Sequence, residues 1–282
     1  HLIYMLKNKK IYDCIPFYKK NLLFELRIKT LDHLVDHFVV CEALKTHSGE
    51  KKKLNFELEK FKKITNKIRY IVVDDMPDVK DIKNEKYPLY NYQINRLTEG
   101  IFDADENDLI LVSDEDEIPN PKMISNFNYE TFKYGIFLQK VFYYKLNIYN
   151  ETESSGGKWP GSRVCMRKNL NKFSSFRALK IKNKYSPFWK FWKEKSIDLL
   201  HNGGWHFTYL MDYKKIAEKI QSSEHSEFNK KEFTDVSKIK ERVENLIDPF
   251  DRNYKLKKNN INETFPPDIV KNKHLYKDWI LD

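Results

Sequence analysis

Residues 107–121 read NDLILVSDEDEIPNP, and this stretch decides the fold that we predict for the chain. Four apolar residues, 109–112, run without a break and stop at Ser113. A short apolar run between polar residues is typical of a strand buried on both faces, usually a central parallel strand. Four carboxylates follow at once, at 114–117. Because ligands bind where the strands of open α/β sheets end, the stretch predicts a ligand site there.

The type and spacing of these acids indicate what could bind. Like charges this close repel one another unless a cation or a cationic substrate shares the site. Alternate side chains of an extended segment point the same way, so Asp114 and Asp116 can converge on one ion. Ligands that are all oxygen favour Mg²⁺ or Mn²⁺ over softer metals. A solvated acidic turn is the alternative that spacing alone leaves open.

The residues before this stretch alternate between strand-like and helix-like patterns. Strands are predicted at 11–15, 38–41 and 68–73, and helices at 22–35, 56–65 and 88–101. We expect Pro16 to end the first strand and Asn21 to cap the first helix. Such alternation is typical of a parallel sheet of the nucleotide-binding kind. Right-handed crossovers then place Glu42, Asp74 and Asp114 along one edge of the sheet.

The pattern changes in the second half of the chain, which is rich in aromatic residues. Strands are predicted at 135–146 and 163–167, and helices at 213–222 and 236–246. Gly203 and Gly204 precede Trp205 and His206, and paired glycines let a backbone approach a ligand closely. An indole offers a flat face to a sugar or a base, and an imidazole can bind a metal. Core packing is the alternative for both side chains.

Composition limits the class of protein. With 40% hydrophobic and 33% charged residues, the chain is expected to be soluble, and no stretch reaches the roughly 20 apolar residues of a membrane span. The start of the sequence has no recognisable signal peptide, and the cysteines at 14, 41 and 165 fit buried reduced thiols. We therefore expect a cytoplasmic location. No EF-hand loop, GxGxxG or Walker loop is present in the sequence.

Taken in order, several sequence blocks resemble glycosyltransferase family 17, the family of the bisecting β-1,4-N-acetylglucosaminyltransferase of N-glycans. The blocks are IYDCIPF, LLFELRIKTLDHLVDHFVVCEALKTHSG, NDLILVSDEDEIP, FYYKLN, GGWHFTY, KIQSSEHSEFN and FPPDIVKN. Gln93 and Asn95 match before the acidic stretch, and Trp159 with Gly161 match after it. The resemblance extends from residue 11 to about residue 279.

The resemblance implies an α/β fold that is GT-A-like and binds a nucleotide sugar, with a mostly parallel central sheet and a C-terminal helical elaboration. It implies one glycosyltransferase domain over residues 1–282, with a nucleotide-binding half at about 8–135 and an acceptor-side half with the C-terminal helices at about 136–282. The implied reaction is a metal-dependent, inverting transfer to a glycan acceptor. The expected donor is UDP-N-acetylglucosamine, and the expected cation is Mn²⁺ or Mg²⁺.

The resemblance also implies roles for residues at matching positions. The expected metal ligands are Asp114, Asp116 and His206. The residues expected to contact the donor are Gln93, Asn95, Asp114 and Trp205. Inversion needs one base to take the proton of the acceptor hydroxyl, and a carboxylate is the usual choice. The candidates for that base are, in order, Glu227, Glu117 and Glu42. The alternative for 225–227 is the end of an exposed helix.

Two other classes of function remain open. A metal-dependent nuclease or phosphoesterase would explain the acids and the net charge of +10, but not the GGWH block or the aromatic-rich second half. A non-catalytic protein would bind a nucleotide sugar without turnover. Under the favoured function we expect no nucleic-acid partner, whereas the positive charge allows a peripheral contact with an anionic membrane surface. The alternative is that the scattered lysines have no specific partner.

Overall fold

The structure, a computed structural model, describes residues 8–78, 87–152, 158–221 and 230–281. The chain folds into two compact units. Unit 1 combines His1–Leu138 with Pro160–Gly204, and unit 2 combines Gln139–Trp159 with Trp205–Asp282. The predicted change of character near residue 135 lies beside the end of the first segment of unit 1. Unit 1 also takes in a later segment, however, and the single domain over residues 1–282 stays a prediction.

The strands and helices are as follows. The strands are β1 (Ile11–Phe17), β2 (His37–Ala43), β3 (Ile68–Val73), β4 (Leu109–Val112), β5 (Glu117–Pro119), β6 (Tyr134–Tyr143), β7 (Ile148–Asn150), β8 (Lys158–Met166), β9 (Ile197–Leu200), β10 (Gly204–Thr208) and β11 (Leu256–Lys258). The α-helices are α1 (Asn21–Leu31), α2 (Pro88–Asn95), α3 (Pro121–Asn126), α4 (Phe173–Arg177), α5 (Tyr213–Gln221), α6 (Lys231–Thr234), α7 (Val236–Glu244) and α8 (Pro267–Lys271). The 3₁₀-helices are Leu58–Lys67, Arg96–Ile101, Arg167–Asn169, Ile181–Asn183 and Lys273–Trp279.

The sheet of unit 1 begins with four parallel strands in the order β3–β2–β1–β4. β8 then pairs antiparallel with β4, and the first half of β6 pairs parallel with β9. All four residues of β4 are fully buried, as expected for a central strand. This arrangement confirms the predicted α/β class with a mostly parallel central sheet. It also brings the carboxyl ends of β2, β3 and β4 to one edge, as the crossover rule requires.

Helices cover both faces of this sheet. On one face, α1, α3 and the 3₁₀-helix Leu58–Lys67 contribute to a core that includes Ile15, Phe24 and Leu111. On the other face, α2, α4 and the 3₁₀-helix Arg96–Ile101 contribute to a core that includes Cys14 and Ile110. Neighbouring residues of one strand therefore enter opposite cores, because successive side chains of a strand point to opposite faces.

Unit 2 contains the C-terminal helices that the resemblance implies. The second half of β6 pairs parallel with β10 and antiparallel with β7, and β7 pairs with β11. α5, α6 and α7 bury their apolar stripes in one core with this sheet, through Ile216, Phe233 and Val243. The helical elaboration is thus confirmed. In the described part of the chain, no helix combines the length and the hydropathy that crossing a bilayer demands.

Several element boundaries differ from the prediction, and Pro16 gives the clearest reason. β1 continues through Pro16, which lies opposite Cys41 of β2. Cys14 accepts a hydrogen bond from Ser113 on the β4 side, so the nitrogen of Pro16, two residues on, faces that side too. The pairing with β4 ends at Cys14 and Val112. A proline is therefore tolerated here, because the N–H group that it lacks has no strand to bond.

The predicted helices are shorter or tighter than expected. α1 ends at Leu31, whereas the prediction continued to residue 35. Asn21 is not its N-cap: Lys20 takes that position, and the Asn21 side chain donates to the carbonyl of Asn55 at 2.8 Å. The helix predicted at 56–65 is the 3₁₀-helix Leu58–Lys67, and the one predicted at 88–101 divides into α2 and a 3₁₀-helix. The three cysteines are buried and free, as predicted.

Candidate active site

The acidic stretch lies immediately after β4, at the sheet edge where the parallel strands end. Asp114 is the first acid, and its side chain remains about one third exposed, at 34%. One carboxylate oxygen accepts a hydrogen bond from the hydroxyl of Tyr90 at 2.8 Å, and the other accepts from Nη2 of Arg177 at 2.8 Å. Tyr90 comes from α2 and Arg177 from α4. Two helices on one face of the sheet therefore position the first acid of the motif.

Arg177 also binds Glu117, so that one guanidinium bridges two carboxylates. Its Nη2 donates to both acids, and its Nη1 donates to the carbonyl of Gly161 at 2.6 Å. The backbone N–H of Asp114 donates to Glu117 at 3.1 Å, which closes a short turn after β4. Burial raises the pKa of Asp114, but the charge of Arg177 outweighs it and holds that pKa below its ordinary value. Asp114 is therefore an anion at neutral pH.

The other two acids of the stretch contact the segment that follows β1. Asp116 forms an ion pair with Nζ of Lys20, and both side chains are largely buried, at 12% and 6% exposed. The carboxylate of Glu115 accepts from the backbone N–H groups of Tyr18, Lys19 and Lys20 at 2.8, 3.0 and 3.3 Å. Glu115 thus satisfies the N–H groups of the turn between β1 and α1, up to the N-cap residue Lys20. These contacts fix the acidic stretch against the neighbouring strand.

A second group of buried charges supports the first. Arg27 of α1 pairs with Asp13 of β1, with Nη2 at 2.8 Å from the carboxylate, and both side chains are fully buried. Arg27 also donates to the backbone carbonyl of Glu117 at 2.5 Å. Arg163 of β8 lies nearby, where burial and then the charge of Arg177 lower its pKa to about 9. Buried arginines from α1 and β8 thus lie close to the acidic stretch.

The donor set after β4 fits a hard divalent cation. Asp114 and Asp116 offer carboxylate oxygens, the ligands that Mg²⁺ and Mn²⁺ prefer. Arg177 and Lys20 already neutralise these oxygens, so a divalent ion would compete with the two basic side chains. In the four described ranges, no three His, Cys, Asp or Glu side chains are grouped as a ready metal site. Three-ligand coordination by Asp114, Asp116 and His206 therefore stays a prediction.

Gln93 and Asn95, predicted at the nucleotide, make intramolecular contacts. Gln93 is buried, donates to the carbonyl of Cys41 at 2.7 Å, and contacts Nε2 of His47 through its side-chain oxygen at 2.8 Å. Asn95 accepts from the backbone N–H of Ser174 at 3.0 Å, in the first turn of α4. Since α4 carries Arg177, Asn95 helps to fix the helix that binds the acids. These contacts favour positioning roles for both residues.

Glu42 and Glu117, two of the three base candidates, are buried and extensively bonded. Glu42 is 0% exposed and accepts from Nζ of Lys52 at 2.6 Å, from two backbone N–H groups and from the hydroxyl of Tyr70. Glu117 is 0% exposed and is held by Arg177. A base must reach the proton that it removes, and these contacts favour structural roles instead. Glu227, the first candidate, lies outside the described residues.

Trp205 and His206 lie at the start of the unit 2 part of β10. Trp205 is 5% exposed, and its indole N–H donates to the carbonyl of Thr264 at 2.9 Å. Little of its ring surface is left for a sugar, so this placement favours packing. The ring of His206 stacks obliquely on Trp159, with centroids 5.1 Å apart. Asp114 and Asp116 belong to unit 1, and the role of His206 toward them stays a prediction.

The glycines before Trp205 have a different use from the one expected. Gly204 has φ of +122°, a conformation that favours glycine, and a Cβ there would lie 2.1 Å from the carbonyl oxygen of Ile118. A Cβ on Gly203 would lie 2.6 Å from the backbone nitrogen of Leu138. Both glycines therefore allow close approach of the backbone to other backbone, and the structure does not require a ligand to explain them.

Three residues of this site were missed at the level of sequence: Tyr90, Arg177 and Lys20. Lys20 had a usable signal, because it follows β1 and the carboxyl ends of parallel strands share one edge. Arg177 lies on a five-residue helix that matches no motif, 63 residues after Asp114. Its role depends on tertiary packing alone, so the sequence contained no signal for it.

The parallel order β3–β2–β1–β4, with an acidic stretch after β4, defines an α/β protein of the nucleotide-binding kind. The family model for glycosyltransferase family 17 matches residues 3–154, more than half of the chain. The chain therefore belongs to glycosyltransferase family 17, and its class is that of a glycosyltransferase with an α/β fold and a mostly parallel central sheet. No curated protein is similar enough to count as a match.

Some solved structures are distantly similar to the chain. Glucosyl-3-phosphoglycerate synthase from Mycobacterium tuberculosis, in complex with Mn²⁺, UDP and phosphoglyceric acid, is 12% identical over 71% of each chain, with a TM-score of 0.39. A complex of that enzyme with Mn²⁺, UDP-glucose and glycerol 3-phosphate gives a TM-score of 0.40 at 12% identity, over 73% of this chain and 74% of that one. 4-Diphosphocytidyl-2C-methyl-D-erythritol synthase is 12% identical, over 69% of this chain and 90% of that one, with a TM-score of 0.36.

Proposed function

We propose that this glycosyltransferase moves N-acetylglucosamine from UDP-N-acetylglucosamine to a hydroxyl of a glycan acceptor, with inversion at the sugar carbon. One observation carries the proposal: the Asp-x-Asp pair, Asp114 and Asp116, ends the buried central strand of a family 17 chain. The sheet edge at this point is where α/β folds bind nucleotides. Both acids lie against basic side chains, Asp114 against Arg177 and Asp116 against Lys20.

Asp114 and Asp116 are the residues that would hold Mn²⁺ or Mg²⁺. Such a cation supplies Lewis-acid stabilisation of the diphosphate leaving group, on which negative charge develops. Arg177 and Lys20 lie against the same two carboxylates. With a cation on these carboxylates, Arg177 and Lys20 would be free to bind phosphate oxygens of the donor. Arg177 can do so without losing its other anchor, since it also binds the carbonyl of Gly161.

For the base that takes the acceptor proton we propose Glu227, because Glu42 and Glu117 are buried and already bonded. The support for Glu227 is its place in the KIQSSEHSEFN block that resembles the family. We retain His206 as a proposed third ligand, since an imidazole can complete a site of two carboxylates. Trp205 is the weakest of the proposed donor contacts, since it is 5% exposed.

UDP release across a panel of UDP-sugars, with and without Mn²⁺, tests the proposal. We expect release that depends on Mn²⁺, is fastest with UDP-N-acetylglucosamine, and falls at least about 100-fold in Asp116→Asn. Asp105→Asn is the matched control, because Asp105 is an exposed acid of the same segment, before β4. Its activity should equal that of the wild type.

Three results would count against the proposal. Release that is unchanged in Asp116→Asn would remove the acidic pair from the reaction. Metal-dependent cleavage of DNA or RNA without any UDP release would instead favour the nuclease or phosphoesterase alternative. Tight binding of UDP-N-acetylglucosamine without turnover, in the presence of a range of glycan acceptors, would favour the non-catalytic alternative.

A further inference from the structure

Unit 1 exposes a dense group of aromatic side chains that the proposed function does not use. Residues 184–195 read KYSPFWKFWKEK, and we call them the FWK segment. The exposed aromatic side chains are Tyr185 at 70%, Phe188 at 84%, Trp189 at 60%, Phe191 at 86% and Trp192 at 64%. Scattered exposed aromatics are ordinary, but contiguous apolar patches usually mark an interaction surface. The segment therefore has the character of an interaction surface.

The FWK segment is held in a defined conformation by its own backbone and by two lysines. Successive turns are closed by Lys190 N–H to the carbonyl of Pro187 and by Lys193 N–H to the carbonyl of Lys190, each at 3.0 Å. Nζ of Lys195 donates to the carbonyl of Phe188 at 3.1 Å. Nζ of Lys184 donates to the carbonyl of Ile197 in β9 at 2.5 Å. Both ends of the segment are thus tied, and the aromatic rings between them stay exposed.

The rings contact one another in pairs and do not fold back onto the core. Phe188 and Trp189 have centroids 5.2 Å apart, and Phe191 and Trp192 have centroids 5.4 Å apart, both edge to face. The apolar core includes residues on either side of the segment in sequence, Ile181 before it and Ile197 after it. The repeat FWKFWK therefore presents two aromatic pairs, each followed by a lysine.

Charge around the segment is strongly positive. Residues 180–195 include six lysines and one acid, Glu194, which faces Lys133 at 3.7 Å. In the part of the chain that the structure describes, no carboxylate pairs with Lys182, Lys190 or Lys193. The same surface thus combines large apolar rings with three lysines, Lys182, Lys190 and Lys193, that form no ion pair with a carboxylate of the described residues. A partner that fits this surface has an apolar interior and an anionic surface.

We propose that the FWK segment docks on an anionic lipid bilayer. Trp and other aromatic rings favour the interfacial region of a membrane, where one part of the side chain is buried and another stays wet. Lysines beside them bind acidic headgroups. Phe188 and Phe191 cannot form hydrogen bonds with a partner. A sugar-binding surface would need such hydrogen bonds, whereas the apolar part of a bilayer does not. The contact is peripheral, since four rings and three lysines enter only the interfacial layer of the membrane.

Co-sedimentation with vesicles tests this without donor, metal or acceptor, so its outcome is independent of the proposed function. One set of vesicles is pure phosphatidylcholine, and in the other about one third of the lipid is phosphatidylglycerol. We expect the wild type to bind the anionic vesicles and not the neutral ones, and binding to weaken as salt is raised from about 0.1 M to about 0.5 M. Tryptophan emission should shift to shorter wavelength on binding.

Substitutions separate the two components of the surface. Trp189→Ser with Trp192→Ser should abolish sedimentation, and Lys190→Gln with Lys193→Gln should weaken it about tenfold or more. The control for the rings is Phe102→Ser, an exposed aromatic residue elsewhere in unit 1, at 81%. The control for the lysines is Lys63→Gln with Lys122→Gln, which are also exposed. Both controls should sediment like the wild type, and all variants should keep the melting temperature of the wild type.

Several results would overturn the proposal. They are equal binding to neutral and anionic vesicles, no binding to either, and undiminished binding by the Trp189→Ser, Trp192→Ser variant. Self-association of the wild type that this variant loses, without any vesicle binding, would assign the surface to a second copy of the chain. Saturable binding of a soluble glycan that the same variant loses would assign it to a carbohydrate.

Discussion

The carboxylate of Glu42 accepts hydrogen bonds from Lys52, Tyr70 and the backbone N–H groups of Asn55 and Phe56, all within 3.0 Å. Burial, and then the bond to Glu42, raise the pKa of Tyr70, so the phenol stays a donor at all ordinary pH values. We predict that Glu42→Gln destabilises the fold by about 2–3 kcal/mol, because Lys52 loses its charged partner. Turnover per folded molecule should be unchanged.

Urea unfolding together with kcat, corrected for the folded fraction, checks this prediction. A fall of 100-fold or so in kcat with normal stability would show that Glu42 acts in the reaction after all. The opposite result, lower stability with normal kcat, would mean that Glu42 is not the catalytic base. Glu42 thus illustrates how four donors around one carboxylate favour a structural role over proton transfer.

Arg177 is the second residue-scale prediction. It neutralises Asp114 and Glu117 with one nitrogen, and its side chain is only 11% exposed. Removing one partner of a buried charge group leaves the others uncompensated, at a cost of about 3–5 kcal/mol. Arg177→Met should therefore lower the free energy of unfolding by about that amount. Added Mn²⁺ should restore more stability to this variant than to the wild type, because the cation takes over the lost charge.

Urea unfolding with and without Mn²⁺ measures both effects. Arg96→Met is a suitable control, since Arg96 also bridges two acids, Asp75 and Glu99, but those partners are about half exposed. Its loss should stay within about 1 kcal/mol and should not respond to Mn²⁺. If both variants lost the same free energy of unfolding, the burial of Arg177 and its partners would add nothing to the cost of removing the arginine.

Among the secondary-structure elements, the helix α4 is capped at its N-terminus by Asn95, a residue of another helix. Lys172 occupies its N-cap without a side-chain cap bond, and Asn95 accepts the N–H of Ser174 instead. Asn95→Ala should lower stability by about 1 kcal/mol and should also reduce kcat/KM, because α4 carries Arg177.

Asp235→Ala is the control, since Asp235 caps α7 through Ser237 and Lys238, and α7 carries no residue of the candidate site. It should lower stability and leave kcat/KM unchanged. Steady-state rates and melting curves of both variants decide the matter, and parallel losses of kcat/KM would contradict this role of Asn95.

Sequence patterns predicted some elements to the residue and others poorly, for physical reasons. β4 has the predicted bounds because it is an unbroken apolar run between polar residues, and β3 also has the predicted bounds although it contains Arg69. The prediction at Pro16 was wrong because the cost of a proline depends on which neighbour its nitrogen faces, and that is a property of the sheet. The acidic stretch was likewise recognisable from its place after β4. Its partners were not, because Lys20 and Arg177 lie 96 and 63 residues away from the acids that they bind.

For the molecule as a whole, charge balance changes with pH. The chain carries 51 basic and 41 acidic residues, with 8 histidines. Protonating the carboxylates removes the negative side of this balance, so the acid form is strongly positive and repels itself. The stability that ion pairs such as Arg69 with Asp103 contribute is lost over the same pH range. We therefore expect stability to fall below about pH 4, where carboxylates protonate.

Asp103 allows this expectation to be tested at one site. Its carboxylate accepts two bonds from Arg69, at 2.6 and 2.9 Å, and one from the hydroxyl of Tyr12 at 3.1 Å. The bonds from Arg69 hold the pKa of Asp103 well below its ordinary value, despite the opposing effect of partial burial. A depressed native pKa contributes stability above the unfolded pKa, about 3.9, and the contribution disappears as pH falls toward the native value. Asp103→Asn should therefore be less stable than the wild type at neutral pH.

The difference between Asp103→Asn and the wild type should stay constant from about pH 7 to about pH 5 and narrow below about pH 4. Urea midpoints of the two proteins at a series of pH values give this difference directly. Asp105→Asn provides the control, because Asp105 lies two residues away and is exposed, and its curve should follow that of the wild type throughout. If the difference in stability instead widened in acid, the native pKa of Asp103 would lie above its unfolded value. The pair with Arg69 would then not stabilise the fold at neutral pH.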